Sequence, residues 1–202
     1  MNLLLFSGFL GSGKTTLIRA FAQRLTDEGL TACFIVNEVG EVGIDGRVLG
    51  DGGLDVYEIT AGCICCEIAS SLVTTAEQIV ERYHPDLLVI EASGIAAPEG
   101  VLKALAHRRG ELFQDELVVS LVDPTRLEML LAVALPLTEA QIRGADELVI
   151  TKLDEATPDE LAVARETLKG LAPGTQVSEI TSENPESLLP LLGRLATFGA
   201  AS

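Results

Sequence analysis

The run Gly8-Phe9-Leu10-Gly11-Ser12-Gly13-Lys14-Thr15 follows directly on the apolar stretch Leu3-Leu4-Leu5-Phe6 and leads into the helical pattern Leu17-Ile18-Arg19-Ala20-Phe21. Glycine, four residues, glycine, lysine and Ser/Thr between a strand and a helix is the phosphate-binding spacing. The glycines let backbone N–H groups turn inward, and the helix presents its N-terminus to the same anion. A nucleoside triphosphate is the expected guest. Lys14 would reach the β- and γ-phosphates and serve catalysis, the Thr15 hydroxyl would ligate Mg²⁺, and Gly11, Ser12, Gly13 and Thr16 would supply the backbone cradle. The plain alternative is a glycine-rich turn that only joins strand to helix.

Short apolar runs alternate with amphipathic segments along the rest of the chain. This pattern predicts an α/β fold, a P-loop NTPase with a mainly parallel central sheet and helices on both faces. Strands are expected near 2–7, 31–36, 54–60, 86–91, 116–122, 146–151 and 175–180. Helices are expected over 14–28, 67–82, 98–108, 124–134, 138–143, 158–169 and 184–196. Pro158 and Pro185 sit just inside helix starts, with Thr157 and Asn184 as preceding caps. The final Ala-Thr-Phe-Gly-Ala-Ala-Ser is expected to fray.

Two further strand ends carry polar residues. Asp86-Leu87-Leu88-Val89-Ile90-Glu91 is an apolar strand that ends in a carboxylate, followed by Ala92-Ser93-Gly94. Glu91 is placed to hold Mg²⁺ through water and act in catalysis, with Ser93 and Gly94 offering N–H groups near the γ-phosphate. An acid that simply terminates a strand is the alternative. Leu148-Val149-Ile150 leads into Thr151-Lys152-Leu153-Asp154. This tetrad resembles the guanine-recognition motif of GTPases, with threonine where asparagine is common. Asp154 can accept from the N1–H and exocyclic amino group of guanine, a pair that adenine does not offer, while the Lys152 stem covers the base. GTP and GDP are therefore favoured over adenine nucleotides.

Cys63, Cys65 and Cys66 crowd into four positions, and the chain has four cysteines in all. Thiolates select soft or borderline ions such as Zn²⁺, Cu(I) or Co²⁺, and three sulfurs leave a fourth tetrahedral position; for this chain Zn²⁺ comes first, with Co²⁺ or Ni²⁺ as alternatives. Glu38 or Glu41 can fill it, and Glu38 is also a candidate for orienting the attacking water by its location. Both lie in 37–53, a segment with six glycines that reads as a switch beside the phosphate site. Redox-sensitive thiols without metal are the alternative. Cys33 lies in an apolar run and reads as core, and His84 and His107 read as ordinary helix residues.

The chain has 30 acidic against 14 basic residues and a net charge of -16. Such a surface repels nucleic acid and anionic membrane. No apolar run reaches the length of a membrane span, and the opening residues lack a signal peptide's basic start. A cytoplasmic protein with reduced cysteines is expected.

As a set, GFLGSGKTT at 8–16, NEVGEVGIDG at 37–46, GCICC at 62–66, IEASGIAAP at 90–98 and TKLD at 151–154 resemble the CobW-like branch of the metal-handling SIMIBI GTPases. The resemblance implies a GTPase that binds a transition metal at Cys63, Cys65 and Cys66. Hydrolysis of GTP to GDP and phosphate would be coupled to metal delivery to a client metalloprotein or a metallocofactor pathway. It would be slow without metal, a client or a nucleotide-dependent homodimer partner. Residues 1–202 are expected to form a single GTPase domain, without the family's C-terminal accessory domain or its histidine-rich stretches. Two other readings stay open: a nucleotide-dependent metal sensor whose hydrolysis is incidental, and a small-molecule kinase, which would need neither the cysteines nor TKLD.

Overall fold

The computed structural model describes residues 1–36, 55–58, 65–181 and 184–201. Seven parallel strands form one sheet in the order β3-β2-β4-β1-β5-β6-β7. They are β1 (Asn2–Ser7), β2 (Ala32–Val36), β3 (Asp55–Glu58), β4 (Leu87–Glu91), β5 (Glu116–Val122), β6 (Glu147–Ile150) and β7 (Gln176–Glu179). The α-helices are α1 (Lys14–Glu28), α2 (Cys65–Tyr83), α3 (Pro98–Leu105), α4 (Arg109–Leu112), α5 (Pro124–Val133), α6 (Leu135–Arg143), α7 (Pro158–Leu171) and α8 (Leu189–Ala200).

A strand covered on both faces reads as a continuous apolar run, which explains the Leu3-Leu4-Leu5-Phe6 block of the central β1. Its side chains alternate between two cores. Leu4 and Phe6 pack with Leu17, Phe21 and Leu25 of α1 and with Leu191 and Leu195 of α8. Leu3 and Leu5 face the other way, onto Leu72, Ala76 and Ile79 of α2 and Leu105 of α3. A third core joins β6 to α5, α6 and α7 through Leu127, Ile142, Leu148, Ile150, Ala164 and Leu168. Phe6 and Phe21 meet edge to face at 6.4 Å, which adds to their area burial.

The chain leaves β1 for β2 on one side of the sheet and leaves β4 for β5 on the other, with β1 between. Strand ends part at such a switch point and leave a crevice at the carboxyl edge. The phosphate loop and Asp123 follow strands that end on this edge, and Glu91 is the last residue of another.

Several expected boundaries move. The helix expected over 98–108 stops at Leu105, and a separate short helix covers Arg109–Leu112. The helix expected from 184 begins as a 3₁₀ turn, Pro185–Leu188, capped by Asn184 through the Glu186 N–H at 3.1 Å. The C-terminal stretch expected to fray instead continues α8 to Ala200. Asn2 Nδ2 donates to the Phe198 carbonyl, 2.6 Å away, and a Cβ on Gly199 would sit 3.3 Å from Leu87. These contacts supply the apolar burial and hydrogen bonding that a terminal helix lacks by itself. Thr157 caps α7 in a full capping box with Glu160. Among the described residues, no helix is long and apolar enough to cross a membrane.

Candidate functional site: a nucleotide cleft at the carboxyl edge

The loop after β1 is shaped by glycines that no other residue could replace without strain. Gly8 has φ +128°, and a Cβ there would lie 2.4 Å from the Leu121 carbonyl oxygen. Gly11 and Gly13 also have positive φ, and Gly13 is the left-handed residue at the N-terminus of α1. Glycine takes such angles at no steric cost. The Ser12 N–H closes the loop on the Phe9 carbonyl at 3.1 Å. Lys14, 5% exposed, turns its Nζ back into the loop and donates to the carbonyls of Gly8 at 2.8 Å and Phe9 at 3.1 Å. An ammonium is thus held within a ring of backbone at a helix N-terminus.

Thr15, in the first turn of α1, donates its hydroxyl to the Glu91 carboxylate at 2.9 and 3.2 Å. Glu91 closes β4, in register with Phe6 of β1, and is 8% exposed. A hydroxyl and a buried carboxylate at one point form a hard oxygen donor pair, the chemistry that Mg²⁺ takes with most of its water retained. The donor set therefore fits that ion. Beyond Glu91, a turn closes with the Ala96 N–H on the Ser93 carbonyl at 2.9 Å. It presses on the phosphate loop so closely that a Cβ on Gly94 would lie 2.5 Å from the Leu10 nitrogen. Lys14, Thr15, Thr16, Glu91, Ser93 and Gly94 line a cleft of about 580 Å³.

Thr151, Lys152 and Asp154 line an adjoining cleft of about 250 Å³, and Gly13, Thr16 and Lys152 belong to both. Thr151 is anchored to the Val122 carbonyl through its N–H at 3.0 Å and its hydroxyl at 3.3 Å. Lys152 adopts φ +54°, and its Nζ lies 3.0 Å from Asp123 Oδ2 and 3.6 Å from Glu155 Oε2. The hydrogen bond to Asp123 raises the lysine pKa above its ordinary value, against the opposing pull of burial. Asp154 accepts the Thr181 hydroxyl at 2.6 Å, and Ile180, Thr181 and Leu188 complete the wall.

The sequence-expected residues Gly11, Gly13, Lys14, Thr15, Thr16, Glu91, Gly94, Lys152 and Asp154 thus gather around two joined clefts, and Ser12 lines neither of them. Ser12 meets the loop's inner side, where its buried hydroxyl has no hydrogen-bond partner among the described residues. Glu38, Glu41 and Cys63, and with them the switch reading of 37–53, lie outside the described residues. Cys65 and Cys66 open α2, two residues before its expected start. Among the described residues, no group of three or more His, Cys, Asp or Glu could hold a metal ion. Cys33 is buried in the core, as expected. Sequence reasoning missed Asp123, Arg126 and Gln141; it placed the end of the 176–181 stretch near the base site but assigned no contact to Thr181. Asp123 repeats the signal that found Glu91, an acid closing an apolar strand; the others carry no such pattern.

The family model described as CobW/HypB/UreG, nucleotide-binding domain, matches residues 2–179. The zinc chaperone CobW of Sinorhizobium sp is 40% identical over 126 residues, covering 58% of this chain and 35% of the relative. The zinc chaperone YeiR of Escherichia coli (strain K12) is 34% identical over 157 residues, covering 77% of this chain and 47% of the relative. The chain therefore spans less than half the length of these two curated relatives. A crystal structure of a zinc-bound triple mutant of the YjiA GTPase superposes with a TM-score of 0.66 at 25% identity, over 90% of this chain and 59% of that one. With the family model matching residues 2–179, well over half of the 202, the chain belongs to the CobW/HypB/UreG nucleotide-binding-domain family.

Proposed function

We propose that this protein is a GTP-hydrolysing metallochaperone, one domain over 1–202, that binds a transition metal through Cys63, Cys65 and Cys66 and couples nucleotide state to delivery of that metal. The Thr15–Glu91 contact beside the Lys14 loop carries the nucleotide half of this reading, because it sets a hard oxygen pair against a phosphate cradle. Family membership and relatives named as zinc chaperones support the metal half. Zn²⁺ is the first cargo to test, ahead of Co²⁺ and Ni²⁺.

In this reading, the N–H groups of Gly11, Ser12, Gly13 and Thr16 hold the β-phosphate oxygens, and Lys14 moves from its loop carbonyls to the β/γ bridge. Thr15 would hold Mg²⁺ directly and Glu91 would hold it through water, and the bound ion would supply charge neutralisation at the phosphates. The Gly94 N–H faces the γ-phosphate. Asp154 accepts from guanine, the Lys152 stem covers the base, and Thr181 keeps the Asp154 carboxylate in place. Glu38 orients the attacking water, and Glu38 or Glu41 supplies the metal's fourth ligand. Catalysis is positioning and charge stabilisation, so turnover is slow until metal, client or a second copy completes the site. The setting is the cytoplasm.

The test is multiple-turnover GTP hydrolysis by the reduced protein, with and without stoichiometric Zn²⁺, against Lys14→Ala. Hydrolysis that requires Lys14 and rises with Zn²⁺ supports the reading. A protein that binds GTP and Zn²⁺ yet never turns over is a sensor, and the chaperone reading then fails.

A further inference from the structure

The turn that faces the phosphate loop is held from behind by one buried amide. Gln141 lies on α6, 3% exposed, and its Nε2 donates to the Ala96 carbonyl at 3.0 Å and to the Gly94 carbonyl at 3.4 Å. A side-chain amide nitrogen has two N–H groups, so this contact uses both. The same α5–α6 hairpin also grips the opposite jaw, since Arg126 donates to the Leu10 carbonyl at 2.8 Å. Leu10 and Gly94 are the residues in close backbone contact across the cleft.

Peptide geometry gives this contact a consequence. In a trans peptide the C=O and the following N–H point in opposite directions. Drawing the Gly94 carbonyl toward α6 therefore turns the Ile95 N–H away from α6. Gly94 and Ile95 line the nucleotide cleft, and neither N–H meets an acceptor among the described residues. Successive free N–H groups in a turn form a concave anion site.

We infer that Gln141 is a positioning residue: from outside the cleft it fixes the 93–96 turn so that the Gly94 and Ile95 N–H groups meet the γ-phosphate. This rests on the GTPase reading above and deepens it. The diphosphate has no group at that position, so Gln141 separates triphosphate from diphosphate binding. It touches neither.

The test compares wild type with Gln141→Met, which keeps the side chain's length and loses its donors, and with Gln141→Glu, which sets a carboxylate against the two carbonyls. Three quantities are read: kcat for GTP, Kd for a fluorescent non-hydrolysable GTP analogue, and Kd for the matching GDP. Gln141→Met should lower kcat and triphosphate affinity about five- to tenfold, as expected for lost hydrogen bonds, and leave GDP affinity within about twofold. Gln141→Glu should lose more. Unchanged kcat and an unchanged triphosphate-to-diphosphate ratio would overturn the inference. Equal losses for both nucleotides with a lower Tm would also overturn it, because Gln141 would then be only a packing residue. Wild-type protein that binds neither nucleotide would sink the GTPase reading itself, before any variant is compared.

Discussion

The Thr15 hydroxyl donates to the Glu91 carboxylate at 2.9 Å, which ties the first turn of α1 to the end of β4 across the floor of the cleft. Glu91 is buried, and a carboxylate in that position is retained where something charged or strongly donating meets it. Glu91→Gln keeps the shape and removes the charge. GTP hydrolysis should fall about 100-fold, and the Mg²⁺ concentration needed for half-maximal rate should rise. A rate and Mg²⁺ dependence equal to wild type would remove Glu91 from the site.

Gly94 has no room for a side chain. Its Cβ would meet the Leu10 nitrogen at 2.5 Å, whereas a Cβ on Gly100 in α3 would meet nothing within 4 Å. Urea unfolding of Gly94→Ala should show a loss of about 1–3 kcal/mol from forced backbone shifts. Gly100→Ala should instead gain up to about 1 kcal/mol, as alanine is the better helix former.

Asp154 is the proposed reader of the base. Asp154→Asn replaces one acceptor oxygen by an amide donor, which suits the C2 carbonyl of xanthine and opposes the amino group of guanine. Competition binding should show GTP affinity falling and xanthosine triphosphate affinity rising, each by at least about tenfold. Retained GTP preference would place the base elsewhere than the cleft lined by Lys152, Asp154 and Thr181.

The phosphate half of this site was readable because its chemistry is local. A strand, a loop with glycines at fixed spacing and a helix are contiguous, Glu91 ends an apolar run that periodicity picks out, and Asp154 closes the polar tetrad that follows another. The sheet followed from the same alternation. What escaped depends on tertiary contact. Gln141 is one glutamine in an amphipathic helix, and only the packing of α6 behind the 93–96 turn gives it work. Arg126 and Thr181 reach loops 116 and 27 residues away. The expected fray of the C-terminus failed similarly, since Asn2 and Leu87, both more than 100 residues away, meet Phe198 and Gly199.

Arg165 on α7 donates twice to Glu179 on β7, at 2.6 and 2.7 Å. The Arg165 hydrogen bond is the largest cause of the lowered Glu179 pKa. A carboxylate with a folded-state pKa below its unfolded value stabilises the fold above the unfolded pKa, and that contribution is lost as pH falls through the folded one. Arg165→Met should therefore lower Tm slightly at neutral pH, since the pair is partly exposed and screened by solvent. The difference from wild type should shrink on acidification through the carboxylate range. A difference that grew at low pH would contradict the assignment.

The most direct test of a nucleotide-gated metal carrier is a Zn²⁺ titration of anaerobic, reduced protein against a competing chelator, with a non-hydrolysable GTP analogue or with GDP, beside Cys65→Ser. One-to-one binding that needs Cys65 and differs at least about fivefold between the two nucleotides is the predicted result, and linkage requires Zn²⁺ to shift nucleotide affinity by the same factor. Equal Zn²⁺ affinity in both nucleotide states, or binding that survives Cys65→Ser, would contradict it.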